Sequence, residues 1–464
     1  MDFFGLKSAL GAQPLFAGKT WRLSPDAFRF SAEQRAQLDA LGEALPAFFA
    51  ALEKLYFASA ENRKILRNRN LRAPWVAPLL DRGKPPRLVA HQRSRALAGT
   101  LPPVMRPDLL ICADGFAMTE ADSVPGGIGL TAFLARLYGC GDAMPRLFLD
   151  ALLSASGVPA DAASARSRRV VIAVSDEAAD YRPEFEWLAA ILRSRGADVS
   201  VSHPNALEIS ADGVFLDGKK VDVLHRFFEL FDLGNVRGAD ALFEAAERGN
   251  VVVSPPMRPF QEEKLSLALL HHPALFPFWE EALGEAHFSL LRKIVPETWV
   301  VEPTPEGGLP ASAALLAPTL GGRPIRDWRE LADAPRRERD LVLKASGFDE
   351  TAWGARSVTI GADASRDEWA AALERALASA REKKSLFVLQ RFRKPARLEH
   401  ALFDARGVPA SAFGRARVCP YYFLVRDGGG RSRARLGGAL CTFCPPDKKI
   451  IHGMSSAALF PCAL

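Results

Sequence analysis

The stretch 105–129, MRPDLLICADGFAMTEADSVPGGIG, limits what this chain can fold into more than any other. Apolar runs flank Ala113-Asp114-Gly115, a short loop with glycine in its last position, which is a hairpin signal. A hairpin centred on Asp114 opposes residues whose numbers sum to 228, so Arg106 faces Asp122 and Asp108 faces Glu120. The two-residue period of a strand puts all four on one face. Three carboxylates so close repel one another unless a cation or a proton intervenes, and oxygen-only ligation suits a Mg²⁺ that also holds phosphates. The bland alternative is the solvent-facing polar side of an ordinary hairpin. The sequel argues against it. Ser123-Val124-Pro125-Gly126-Gly127 makes a sharp turn directly after the last carboxylate and leads into an apolar helix over 130–138. The arrangement predicts a site for a metal-bound polyphosphate.

Composition is compatible with such a site. With 48% hydrophobic and 25% charged residues the chain is neither disordered nor fibrous. Its 464 residues, at about 150 per domain, suggest two or three domains with clefts between them. A net charge of +6, with arginines scattered apart from short clusters such as Arg431, Arg433 and Arg435, makes no case for a nucleic-acid partner. Six cysteines are too sparse for a disulfide scaffold, and no N-terminal stretch joins a basic start to an apolar core. The expectation is a reduced, cytoplasmic protein. The uncharged stretch 307–322 holds Pro310, Pro318 and several glycines and cannot span a bilayer. Cys441 and Cys444, with His452 beyond them, lack a second Cys-x-x-Cys and read as buried thiols rather than a metal site.

Along the chain, apolar residues recur at helical spacing over 31–60, with Pro46 expected to break or kink the run, in a helical region spanning 1–100. A strand at 170–174, a helix at 183–194 and a strand at 199–201 predict a small parallel α/β domain over 165–255. It has no glycine fingerprint for a dinucleotide. A strand at 251–253 ends in Ser254-Pro255-Pro256, a plausible boundary. Residues 256–464 alternate a helix at 262–270, strands at 341–344 and 357–360, a helix at 367–384, and strands at 386–392, 421–425 and 436–443. The fold class is mixed α+β and α/β with antiparallel sheets in this last region, and no internal repeat is visible.

Arg-x-Asp, a hairpin, then Glu-x-Asp-x-x-Pro-Gly-Gly resembles the magnesium-binding strands of ATP-grasp enzymes, which usually carry Asn where this chain has Asp122. In most ATP-grasp chains those strands come last; here they come early, so the resemblance is to the circularly permuted branch, similar to glutathionylspermidine synthases and related ligases. It covers roughly 104–139 and 221 onward. The stretch between them, a small Rossmann-like parallel domain, fits the family's linking domain, and 101–160 becomes the permuted segment of the core. Residues 1–100 carry no matching motif and are a place for substrate recognition.

The resemblance implies ATP and Mg²⁺ as cofactors, with Asp108, Glu120 and Asp122 holding the metal and Lys264 and Lys344 gripping phosphates. Arg106 and Arg356 would stabilise the transferring group, with Gly354 in a phosphate-covering loop over 345–358 and Gln390 on the strand that meets the adenine edge. Arg226, in Val221-Asp-Val-Leu-His-Arg-Phe-Phe-Glu, resembles a segment approaching the cleft; it would touch substrate or form a buried ion pair with Glu229 or Asp222. The implied activity is an ATP-dependent carboxylate-amine ligase working through an acyl phosphate, with small-molecule or peptide substrates. The alternatives are kinase-like phosphoryl transfer in the same cleft and a non-catalytic nucleotide-binding scaffold. No nucleophile elbow or Cys/His signature is recognisable, as a mechanism without a protein nucleophile requires.

Overall fold

The computed structural model describes residues 2–157, 167–304, 317–352, 354, 356–427, 430–453 and 456–464. Most of the uncharged stretch 307–322, and Trp353 and Ala355 of the glycine loop, lie outside them.

A seven-stranded sheet forms the centre. Its path runs Phe28–Arg29, Ala458–Ala463, Ser432–Cys444, Pro409–Arg426, Val104–Cys112 and Gly115–Asp122, with Leu398–Phe403 also pairing with Pro409–Arg426. The early hairpin therefore shares a sheet with the last sixty or so residues of the chain. All its pairings are antiparallel except that of the short first strand. Alternation along Val104–Cys112 splits the core in two. Met105, Leu109 and Ile111 face the helix Ala32–Ala60 and its neighbour Phe276–Ile294. Val104, Leu110 and Cys112 face the helices Ile128–Leu137 and Met144–Ala155.

The long N-terminal helix corrects the sequence expectation, because Ala32–Ala60 continues through Pro46 as one element. Ser31 caps it in a reciprocal box with Gln34. Leu38, Leu41, Leu45, Phe48, Phe49, Leu52 and Leu55 are all buried on it, and that tertiary packing overrides the loss of one backbone donor.

A four-stranded, wholly parallel sheet in the order Val252–Ser254, Val223–Phe227, Arg169–Val174, Asp198–Ser202 occupies the predicted middle region. A third, antiparallel sheet runs Thr298–Val301, Phe387–Arg391, Leu341–Ala345, Thr359–Ile360 and is backed by the helix Arg366–Arg381 over buried Trp299, Trp328 and Trp369. No helix among the described residues is long and apolar enough to cross a membrane. All six cysteines are free and five are buried.

Candidate active site

The hairpin register delivers the predicted face by an unpredicted route. Near the turn, Cys112 pairs with Gly115, Leu110 with Ala117 and Leu109 with Met118; beyond it, Asp108 pairs with Glu120 and Arg106 with Asp122. Thr119 is the extra residue of a β-bulge. Phe116 and Met118 face the long-helix core, and after the bulge Ala121 takes that side instead, so Glu120 and Asp122 turn to the opposite face with Arg106 and Asp108. The bulge also releases the Thr119 carbonyl, which accepts a hydrogen bond from Lys344 Nζ at 2.7 Å.

Around this face the charges interlock. Arg106 Nε donates to Asp108 at 3.2 Å, its Nη2 lies 2.9 Å from Asp122, and its Nη1 donates to the carbonyl of Gly126 at 3.1 Å. Asp108 is 2% exposed and is also held by Arg417 Nη1 at 2.7 Å and the Cys419 thiol at 3.3 Å. Burial alone raises a carboxylate; here Arg417 and Arg106 outweigh it and hold Asp108 below its usual range. Asp122 goes the other way, raised by burial in spite of Arg106.

Both lysines arrive from distant segments. Lys264, directly before the helix Leu265–Leu270, lies 3.4 Å from Glu120 and donates to the carbonyl of Ala352 at 2.9 Å. Lys344, on Leu341–Ala345, also donates to Gln390 Oε1 at 3.0 Å, while Gln390 Nε2 donates to Thr298 Oγ1 at 3.0 Å. Gln390 thus positions the Lys344 ammonium. Burial pulls Lys344 down to about 8, with Lys264 adding to the effect and Glu120 opposing it. The loop after this strand is tied to the Lys264 segment through Glu263, whose carboxylate accepts from Ser346 Oγ and the Gly347 amide and pairs with buried Lys84 at 2.5 Å. A Cβ on Gly347 would collide with the Glu262 carbonyl.

The turn after the hairpin depends on its glycines. A Cβ on Gly126 would run into the Tyr181 ring, and Gly127 has a φ of 84°. The Gly127 and Leu130 amides, at the start of the helix, donate to Glu184 at 2.6 and 3.0 Å. Burial pushes Glu184 up to about 7 against those two bonds.

Arg106, Asp108, Glu120, Lys264, Lys344, Gly354 and Gln390 all line one cavity of about 510 Å³. A smaller adjoining cavity of about 170 Å³ takes in Asp122 and shares Arg106, Glu120, Lys264 and Gly354. Arg226 and Arg356 are not brought into either lining. Arg226 is fully buried and donates to the carbonyls of Pro255, Phe228 and Pro256 while pairing with Glu262. The buried ion pair is real, but its partner is Glu262 rather than Glu229 or Asp222. Arg356 sits on Glu177 at 3.2 Å, half exposed.

Among the described residues no group of three or more His, Cys, Asp and Glu is arranged to hold a metal ion. Asp108 is engaged by two guanidiniums, whereas Glu120 and Asp122 remain partly open, 33% and 30% exposed at the side chain. Two carboxylates suit a Mg²⁺ that brings phosphate oxygens with it.

Sequence reasoning missed Arg417, Cys419, Tyr421 and Glu184. The first three alternate on Pro409–Arg426, the strand beside the hairpin, and Tyr421 Oη donates to the Gly126 carbonyl at 2.8 Å. The signal was the spacing Arg415-x-Arg417-x-Cys419-x-Tyr421 at a strand period, obscured by Pro420.

No protein-family model matches the chain, and no curated protein matches it in sequence. Solved structures do. A glutathione synthetase-like effector from Globodera pallida, in its apo form, superposes with a TM-score of 0.54 at 14% identity, covering 99% of this chain and 96% of that one. A Methylobacillus flagellatus protein described as a gamma-glutamylcysteine synthetase gives 0.41 at 12% identity over 81% and 84% of the two chains. A D-alanyl-alanine synthetase A from Vibrio cholerae gives 0.27 at 10% identity over 64% and 87%. The overall fold of this chain, from end to end, is similar to that of the glutathione synthetase-like effector.

Proposed function

We propose that the protein is an ATP-dependent carboxylate-amine ligase of the circularly permuted ATP-grasp type, releasing ADP and phosphate. The observation that carries this reading is the convergence of Arg106, Lys264, Lys344 and Arg417 with Glu120 on one cavity, from separate segments spread along the chain from Arg106 to Arg417. A polyphosphate is the ligand that such a set of cations and carboxylates recognises, with Mg²⁺ between them.

In this reading Lys264 and Lys344 bind the nucleotide phosphates, and the apolar wing formed by Val342, Val358 and Ile360 beside Gln390 takes the base. Glu120 and Asp122 would hold Mg²⁺, which would supply neutralising charge to the phosphates. Asp108 fixes Arg106 and Arg417 so that their guanidiniums meet the γ-phosphate and the substrate carboxylate in line. Phosphoryl transfer to the carboxylate gives an acyl phosphate; the amine then displaces phosphate and forms the C–N bond. Leu15, Lys19 and Trp21 also line the cavity, which supports a substrate contact from the N-terminal region. Arg356 and Gly354 belong to the loop that covers the phosphates. The small parallel sheet is the Rossmann-like linking domain, and the substrates are small molecules or peptides in the cytoplasm.

The test is ADP release against pooled carboxylates and pooled amines. Turnover that needs both pools supports a ligase. Phosphorylated product from one pool alone replaces it with a kinase, and no nucleotide turnover with any pair replaces it with a scaffold.

A further inference from the structure

The smaller cavity adjoining the phosphate cluster has its own chemistry. Glu120, Asp122, Glu177, Glu229 and Glu262 line it, against Arg106 and Lys264 alone among basic side chains. Four of those carboxylates are answered by cations: Glu120 by Lys264, Asp122 by Arg106, Glu177 by Arg356 and Glu262 by Arg226. The Glu229 carboxylate, unlike its backbone carbonyl, which accepts from the Asp232 amide, has no hydrogen-bond or ion-pair partner among the described residues. It comes from the segment directly after Val223–Phe227, the strand that also carries Arg226.

A second, independent observation points to a ligand here. Ser123 and Ser175 line the same cavity, are 2% and 4% exposed, and their hydroxyls have no hydrogen-bond partner in the protein. A buried hydroxyl left unpaired has lost its water without a replacement, a cost that a polar ligand would remove. The walls between these groups are aromatic: Tyr181, Phe227, Phe228 and Phe231. Beyond the pair Glu120 and Asp122 assigned to Mg²⁺ with the nucleotide, no group of three or more His, Cys, Asp and Glu among the described residues is arranged to hold a metal ion, and aromatic walls do not favour a hydrated one. An organic ammonium gains from both a carboxylate and aromatic faces.

We infer that this cavity is the seat of the amine substrate: Glu229 receives its ammonium, Ser123 and Ser175 accept from its N–H groups, and the aromatic walls hold its carbon chain. The inference rests on the ligase reading for the role of the bound amine, but not for the binding itself. Before attack the ammonium must lose a proton. Glu229 takes it, giving a neutral amine and a protonated carboxyl. The amine nitrogen then forms the C–N bond as the acyl–phosphate bond breaks, and the departing phosphate carries off the surplus proton of the nitrogen.

Calorimetric titration of the full chain with n-butylamine, 1,4-diaminobutane, glutarate and MgCl₂ tests this. The expected result is binding of the two amines and not of glutarate, with Glu229→Gln weakening the amines by about tenfold or more while ATP with Mg²⁺ binds within about twofold of the parent. Retained nucleotide binding also shows that the variant is folded. Ser175→Val should weaken amine binding in the same direction by a smaller factor. Amine binding unaffected by Glu229→Gln, or Mg²⁺ binding without nucleotide that the substitution removes, would overturn the inference. Amine binding lost in Glu229→Gln from a protein that binds no ATP would leave this site standing and the ligase reading without support; the reverse pattern would do the opposite.

Discussion

Lys344 and Thr119 lie 225 residues apart, and the Nζ of the first donates to the backbone carbonyl of the second at 2.7 Å. The contact links two sheets. It exists because a single extra residue in the hairpin frees that carbonyl from the ladder, and the same extra residue turns Glu120 and Asp122 onto the face of Arg106 and Asp108. One irregularity thus aims both the acids and the lysine into the cavity.

Replacing Lys344 should separate function from stability. Lys344→Met removes a buried, desolvated ammonium but leaves two acceptors unpaired, and the two effects offset to within about 1 kcal/mol. Nucleotide affinity should fall by about a hundredfold. Urea denaturation and nucleotide titration on the same variant check both halves. A variant that unfolds, or that binds as the parent does, contradicts the assigned role.

Nucleotide binding should take up protons at alkaline pH. Lys344, held at about 8 by burial and by Lys264, is largely neutral in the free protein at pH 9. An arriving polyphosphate favours its charged form, so affinity should decline as pH rises through about 8. Titrations in two buffers of different ionisation enthalpy should give different heats at pH 8.5 and the same heat at pH 6.5. Equal heats at both values would remove Lys344 from the phosphate site.

The two aspartates next to Arg106 should behave differently. Asp108→Asn leaves the half-buried Arg106 and Arg417 guanidiniums short of their shared, buried counter-charge and should cost about 3 kcal/mol in denaturant. Asp122→Asn, at a more exposed position where the resembled family carries Asn, should cost less than about 1 kcal/mol and keep nucleotide binding. Equal losses would contradict the division of labour between them.

Glu229 makes a stability prediction with an unusual sign. Its folded value is raised to about 8, and neighbouring Glu262 to about 7, by burial. The groups facing Glu229 are Glu262 and Asp122, which raise it further, and Arg226 and Lys264, which lower it. The folded protein therefore binds more protons than the unfolded chain between about pH 4.5 and 8. Its contribution is fully present in acid and is lost as pH rises through that window. Glu229→Gln should be more stable than the parent at pH 8.5 by about 1–2 kcal/mol and nearly equal to it at pH 5. Thermal melts at the two values decide; a variant less stable at pH 8.5 would show that Glu229 is compensated by a cation.

The hairpin was legible because charge alternation and a glycine turn are local signals, and both survive folding. The bulge was not, since one extra residue leaves no mark in an alternating sequence. The assumed centre at Asp114 and the missing bulge cancelled, which is why Arg106 and Asp122 were correctly opposed. Pro46 misled because a rule about one backbone donor was set against the burial of an entire helix face. Arg417 was missed because Gly414 and Pro420 hid the long strand that carries it. The Glu262 partner of Arg226 lies across a loop, at a distance no periodicity reports.

In the proposed function one cavity holds a nucleotide tail between the early hairpin and the two later lysines. Calorimetric titration of ATP with Mg²⁺ into the parent and into Lys264→Met, Lys344→Met and Glu120→Gln tests it most directly. The expected result is saturable binding by the parent that each substitution weakens by at least about tenfold. Absence of binding by the parent at millimolar nucleotide, or binding indifferent to all three substitutions, would contradict it.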